Sequence, residues 1–208
     1  MHHKKLIIIG ASGQGKVVAD VAMQMQQYEE ILFLDDDTTI EECMGFAVVG
    51  KVADAIQYIH HADFFVAIGN TRVRMKVTEQ LRREGAKIPT LIHPSAIIGA
   101  DVLIGEGTVV MAGAVINPGA IIGQGCIINT CSSIDHDCKI CDYVHISVGT
   151  HLAGTVSIGS ETCVGAGAII SNNKSVIDGC VIGAGAVVVK DIEESGIYVG
   201  VPAKKLYD

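Results

Sequence analysis

The chain has 208 residues, a formal net charge of −8, 49% hydrophobic residues but only 4% aromatic ones, 24 glycines, four prolines and no tryptophan. That length suits one medium domain or two small ones, and the aliphatic content excludes a disordered chain while the scarcity of proline excludes a collagen-like one. The acidic balance, with every arginine confined to Arg72–Arg83, argues against a nucleic-acid or anionic-membrane surface.

The N-terminal apolar run, Leu6–Ile9, ends at Gly10 and is too short for the apolar core of a secretion signal. Asp101, Glu106, Asn117 and Gln124 interrupt the most apolar stretch, so no membrane span is expected and the protein is expected to be cytoplasmic. The cysteines do not suggest a disulfide framework in such a compartment. Cys138 and Cys141 form a lone CxxC with no second pair at zinc spacing, so no metal is expected.

Lys5–Ile9 predicts a strand, Gly10-Ala-Ser-Gly13-Gln14-Gly15-Lys16 a turn, and Val17–Gln27 a helix. Ile31–Leu34 predicts a second strand, ending in Asp35-Asp36-Asp37. Phe64–Ile68 predicts a third, ending in Gly69-Asn70, and Arg72–Glu84 a second helix. This βα alternation implies a small α/β, half-Rossmann-like domain over residues 1–91, with a parallel sheet. Gly10–Lys16 fits GxxxxGK, but Val17 stands where a P-loop needs a magnesium-binding Ser or Thr, so an NTPase is rejected. A strand–glycine-turn–helix crevice does offer backbone N–H groups to an anion. Asp35 and Asp36 lie where a carboxylate can bond a ribose hydroxyl. About 90 residues cannot hold both halves of a dinucleotide fold, which favours a mononucleotide or nucleotide-linked ligand over NAD. An ordinary glycine turn and a solvated acidic strand end account for the same residues without any ligand.

From Ile92 to Val188 every sixth residue is Ile, Leu or Val, without a slip. Four residues after each comes a small side chain, in a track that includes Cys126, Cys138 and Cys180 and is broken only by Lys174. Lys174 is read as the mark of a bulged turn at Ser171–Ser175. Glycine often follows the aliphatic position, as at Gly99, Gly105, Gly123, Gly159, Gly165 and Gly183, and is read as permitting a corner. Neither a helical nor a two-residue period explains the pattern. A six-residue unit suits one short strand plus a turn, and three units close a triangular coil of about 18 residues. At strand spacing of about 4.8 Å, five to six coils make a prism about 26 Å long. The shortage of rings belongs to this segment: all four phenylalanines precede residue 92.

The short GASGQG domain, LDD at residues 34–36, AIGN at 67–70, IHPSA at 92–96, the hexapeptide array and the closing Gly200-Val-Pro-Ala-Lys204 together resemble the sialic acid O-acetyltransferase / nucleotide-aminosugar N-acetyltransferase family, in particular its PglD-type members. The resemblance implies a left-handed parallel β-helix over residues 92–208. It also implies an acetyl-CoA-dependent acetyltransferase acting on the 4-amino group of a UDP-4-amino-4,6-dideoxy sugar in bacterial glycan biosynthesis, and a homotrimer. On this resemblance His136 is the general base and Asp137, where the family usually has Glu, raises its basicity. His145, Ala166 and Ala184 contact acetyl-CoA, with Gly149 and Gly154 nearby. Gly13, Gln14 (often His in the family), Gly15, Asp35, Asp36, Gly69 and Asn129 hold the sugar nucleotide. Lys139 and Lys174 are the only lysines between residues 92 and 188, so Lys190, Lys204 or Lys205 is expected at the CoA phosphates; Arg72 suits a sugar-nucleotide phosphate or, equally, a solvated helix start. An imidazole suits proton removal from an amine near neutral pH. A sialic acid O-acetyltransferase and a non-catalytic nucleotide-sensing scaffold share the architecture. A γ-class carbonic anhydrase does not fit the spacing of His136, His145 and His151.

Overall fold

The computed structural model describes residues 4–206. The chain divides into two compact units, residues 1–94 and 95–208. Among the described residues, no helix is long and apolar enough to cross a membrane.

In the first unit, β1 (Lys5–Ile9) is followed by α1 (Gly13–Met25) and β2 (Glu30–Leu34). A small hairpin follows, β3 (Glu42–Cys43) with β4 (Phe46–Ala47), then a 3₁₀ turn over Val52–Gln57, β5 (Asp63–Val66) and α2 (Thr71–Arg83). The sheet order is β2-β1-β5, all parallel. β1 is the central strand, and Leu6, Ile7, Ile8 and Ile9 are fully buried, as a strand covered on both faces requires. The chain leaves β1 to one side and returns to the other, so the carboxyl ends of the strands form a switch-point crevice. α1 begins at Gly13 rather than Val17. Gly15 lies inside it, and a Cβ there would run into Gly10 O and stand 3.2 Å from a Phe33 ring carbon. That glycine lets helix and sheet approach.

In the second unit the six-residue pattern becomes two-residue strands joined by corners. One sheet stacks Ile97–Ile98, Val115–Ile116, Ser133–Ile134, His151–Leu152, Ile169–Ile170 and Val187–Val188. A second stacks Leu103–Ile104, Ile121–Ile122, Lys139–Ile140, Ser157–Ile158 and Ser175–Val176. A third runs through Val109–Val110, Ile127–Ile128, His145–Ile146, Cys163–Val164 and Val181–Ile182 to Ile197–Val199. This is a β-solenoid of about six turns with the hexapeptide repeat. Register is constant: Val115 pairs with Ser133, Ile121 with Lys139 and Ile127 with His145, each exactly one coil apart in sequence.

The aliphatic track points inward, and from Val110 to Val188 each member is buried. The small track is a slot against the next coil. Buried Thr108, Thr150 and Thr162 donate their hydroxyls to Gly123 O, Gly165 O and Ile177 O at 2.8, 2.9 and 3.0 Å. Cys126 and Cys138 occupy the same slot and direct Sγ at Cys141 O and Ala153 O, at 3.1 and 3.2 Å. The CxxC therefore splits, with Cys138 buried and Cys141 exposed.

Two expectations change. The residue that turns each corner is the third after the aliphatic one. From Asp101 to Gly185 that position has φ between +54° and +75° at every repeat, whether it is Gly, Asp, Asn or another residue. The glycines directly after the aliphatic position serve close approach instead: a Cβ on Gly99 or Gly105 would stand 2.6 Å from the backbone nitrogen of Pro118 or Gln124 in the next coil. Lys174 marks no bulge, because Ser157 N still donates to Lys174 O at 2.9 Å and Ser157 still pairs with Ser175. The half-buried lysine sits in an ordinary corner.

Removing one inner side chain leaves a cavity that a rigid coil cannot close. Ile158→Ala is expected to cost about 2–5 kcal/mol in urea denaturation, and Ser157→Ala, on the outer side of the same strand, less than about 0.5 kcal/mol.

Candidate active site

His136 lies in the corner between the strands Ser133–Ile134 and Lys139–Ile140. The coil register sets Pro118 below it and Gly154 above it: Asp137 N donates to Pro118 O at 3.1 Å, and Thr155 N to His136 O at 2.9 Å. The imidazole lies against Gly154. A Cβ there would clash with Nε2 and stand 2.6 Å from Cε1, so any side chain at 154 would push the ring away.

His136 Nδ1 is 2.9 Å from Asp137 Oδ2. A carboxylate only accepts, so Nδ1 carries the hydrogen and the neutral ring keeps its lone pair on Nε2. The short Asp137 side chain reaches because the residue is left-handed, with φ +57°, a conformation that Asp tolerates better than most residues. On the other flank, Asp135 Oδ1 accepts the His136 backbone N–H and the Asn117 side-chain amide, each at 2.8 Å. The hydrogen bond to Asp137 raises the His136 pKa above its ordinary value, and the charge of Asp135 adds to the rise. Asp135 itself is lowered, first by the Asn117 hydrogen bond and then by the His136 N–H. Asn117 was not among the sequence candidates, and Asp135, beside His136 in the sequence, had no role assigned to it. Their signal is the coil register, since Asn117 lies one coil before Asp135.

The other coil candidates gather elsewhere. Asn129, Ala166 and Ala184 lie in the corner between the third sheet and the first, with Ala184 one coil above Ala166 and Asn129 two coils below. His145 projects from the third sheet beside it, with Nε2 3.3 Å from Asn129 Nδ2. Gly149 and Thr130 lie in the same corner, joined by a 3.0 Å backbone bond. One sheet thus separates His136 from His145, Gly149, Ala166 and Ala184, whereas Gly154, expected beside them, lies against His136 instead. His151 stands on that sheet with Nδ1 2.8 Å from Ser133 Oγ. Among the described residues, no group of three or more His, Cys, Asp or Glu is arranged to hold a metal ion. At the far end of the coil, Lys190, Lys204 and Lys205 line one groove of about 580 Å³. Lys205 also pairs with Glu194 at 2.9 Å.

In the first unit, Gly10, Ser12, Asp35, Asp36, Val52, Ile68 and Gly69 line a crevice of about 240 Å³ at the carboxyl ends of the strands. The structure thus brings Asp35, Asp36 and Gly69 together. Gly13 and Gln14 lie beyond that lining, in the first turn of α1, and the Gln14 side-chain nitrogen is buried without a hydrogen-bond partner. Asp35 is committed to the backbone: Oδ2 accepts Ala11 N at 2.7 Å, and Oδ1 accepts Asp37 N at 2.9 Å. Asp36 Oδ1 accepts Val52 N at 3.1 Å, leaving Oδ2 for another donor.

The family model of the PglD N-terminal domain matches residues 5–81, and that of the bacterial transferase hexapeptide (six repeats) matches residues 101–136. The acetyltransferase domain of PglB from Neisseria gonorrhoeae FA1090, solved in complex with acetyl coenzyme A, is 43% identical with a TM-score of 0.95, over 98% of this chain and 100% of that one. The chain belongs to the PglD-type family of hexapeptide-repeat acetyltransferases. PerB from Caulobacter crescentus, in complex with CoA and GDP-perosamine, is 35% identical with a TM-score of 0.92, over 98% of this chain and 97% of that one. The GDP-perosamine N-acetyltransferase of Escherichia coli O157:H7 is 29% identical over 186 residues, 86% of this chain and 82% of that protein.

The raised pKa sets a sign for pH dependence. A histidine acting as general base must be neutral, so with His136 in the expected role turnover should rise with pH through its elevated pKa. Asp137→Asn removes the largest cause of the rise. The acid limb of kcat/KM against pH should therefore move to lower pH, with a lower plateau. A limb left in place by Asp137→Asn separates this pair from the titration.

Proposed function

We propose that the chain transfers the acetyl group of acetyl-CoA to the 4-amino group of a nucleotide-linked 4-amino-4,6-dideoxy sugar, UDP-linked, for bacterial glycan biosynthesis. The observation that carries the reading is the His136–Asp137 pair, with Nδ1 held by the carboxylate at 2.9 Å and Nε2 left as the base. The seven free cysteines suit the reducing cytoplasm as the compartment.

In the proposed reaction the sugar amine attacks the thioester carbonyl carbon while Nε2 takes its proton. A C–N bond forms, and the carbonyl oxygen becomes an oxyanion held by a backbone N–H. The oxyanion collapses, the C–S bond breaks, and the imidazolium returns the proton to the leaving CoA sulfur. No acyl-cysteine is needed: Cys138 is buried, and its pKa is raised first by that burial. Cys131 lies in the other corner, beside Asn129.

His145, Ala166 and Ala184 are proposed to line the acetyl-CoA channel, with its phosphates in the groove of Lys190, Lys204 and Lys205; Asn129, expected to hold the sugar nucleotide, lies beside them, with its amide 3.3 Å from His145 Nε2. Asp36 Oδ2 is proposed to take a ribose hydroxyl, with the diphosphate against Gly69 and the glycine turn. The His136 and Asp137 side chains are 58% and 67% exposed in the single chain, too open to exclude water from a thioester reaction. That exposure, and the sheet between the two corners, support a homotrimer in which one copy's His136 corner meets another copy's acetyl-CoA corner. The names of two relatives favour a GDP-linked acceptor as the second reading.

A thiol-release assay with acetyl-CoA and a panel of UDP-, dTDP- and GDP-linked 4-amino sugars and free sialic acid tests the proposal. Release with a UDP-linked amino sugar is expected, from a species of trimer mass in light scattering. Release with the GDP-linked sugar alone moves the nucleotide assignment. Release only with sialic acid, or with nothing while nucleotide still binds, overturns the proposed reaction.

A further inference from the structure

The four arginines form one short cluster, and they do not share a fate. Arg72, the candidate for a phosphate contact, is exposed. Arg74, two residues on, is 2% exposed and among the largest fully buried side chains of the molecule. A guanidinium is rarely buried unless something specific holds it. Here Nη1 donates to two consecutive carbonyl oxygens, Ile68 O and Gly69 O, both at 3.0 Å. These belong to the segment that leaves β5 and enters α2, and both residues line the crevice at the carboxyl ends of the strands.

Holding two successive carbonyls has a fixed consequence for the backbone. In a trans peptide the N–H points opposite to the C=O. With both oxygens drawn onto the guanidinium, the N–H groups of Gly69 and Asn70 are turned away from it. Asn70 is fixed from the other side, since its Oδ1 accepts Val73 N at 3.1 Å and its carbonyl accepts Arg74 N at 2.9 Å. Gly69 has open space where a Cβ would stand, so no packing of its own holds the turn. A buried positive charge behind the wall also favours an anion in front of it.

We propose that Arg74 is a positioning residue for the acceptor nucleotide: its buried guanidinium holds the Ile68–Gly69 turn in the shape that presents backbone donors to the diphosphate. The inference rests on the reading of this crevice as the nucleotide site. Arg74 belongs to the first unit, whereas His136 and the residues proposed for acetyl-CoA belong to the second. Its loss therefore acts on one substrate alone.

The test compares wild type, Arg74→Lys and Arg74→Met. Lysine keeps the charge but ends one atom short of the two carbonyls; methionine removes the charge as well. UDP and GDP binding is measured by calorimetry, and KM is measured for each substrate with kcat. For Arg74→Lys, nucleoside diphosphate binding roughly tenfold weaker is expected, with a matching rise in KM for the sugar nucleotide. kcat and the KM for acetyl-CoA should stay within about twofold. Arg74→Met should be weaker still; if it does not fold, Arg74→Lys decides. A folded Arg74→Lys that binds nucleoside diphosphate like wild type, even with a lower melting temperature, makes Arg74 merely structural and overturns the proposal. Wild type that binds neither UDP nor GDP removes the crevice reading, and the inference with it.

Discussion

The structure of the second unit depends on one constraint: each residue rests on the backbone of its counterpart one coil earlier. A parallel ladder of two-residue strands has few hydrogen bonds per strand, so a slip at one corner would misplace everything after it. The slip is prevented by volume. The aliphatic slot and the small slot recur together, and a coil shifted by one residue would turn its Ile and Val outward. The buried threonine hydroxyls and cysteine thiols that reach the next coil's carbonyls tie the corners to the same register.

The candidate chemistry inherits that register. Pro118 and Gly154 flank His136 because the coil repeats, and Gly154 leaves the space that the ring occupies. A side chain at 119 would likewise stand 2.7 Å from Asp137 Oδ1. The left-handed corner that every repeat requires falls on Asp137, which brings its carboxylate back to the imidazole of the preceding residue. The backbone device that turns the chain is thus also the device that orients the His136 ring, the proposed base. Asp135, fixed by Asn117 from the coil below, adds a second carboxylate on the opposite flank. The result is a basic, solvent-facing imidazole on a rigid support.

Much of this was legible in the sequence because the period is written in residue type. The aliphatic and small tracks state which side chains face inward, and the strand–glycine–helix pattern places the crevice. What was not legible depends on a third direction. The hexad count places Asn129 and His136 in successive units and so at different corners, but it does not show which side chains bond across coils, as Asn117 does to Asp135. The glycines were visible, but those that turn a corner and those that admit the next coil look alike in one dimension. Lys174 looked like a defect because the track assigns it a size and cannot say that a corner has room for it. Arg74 is a charged residue near a helix start, where solvent is the ordinary expectation; its burial follows from the packing of α2 on the sheet.

Two units divide the proposed work along chemical lines. The α/β unit offers a switch-point crevice with a free Asp36 oxygen and a braced backbone turn. The coil offers the proposed base at one corner and the residues proposed for acetyl-CoA at another. The proposed chemistry stands on His136, and the most direct measurement is turnover by His136→Ala with the affinities for acetyl-CoA and sugar nucleotide measured in the same preparation. A loss of about 10²–10⁴ in kcat with both affinities retained is predicted; turnover within a few fold of wild type would contradict it.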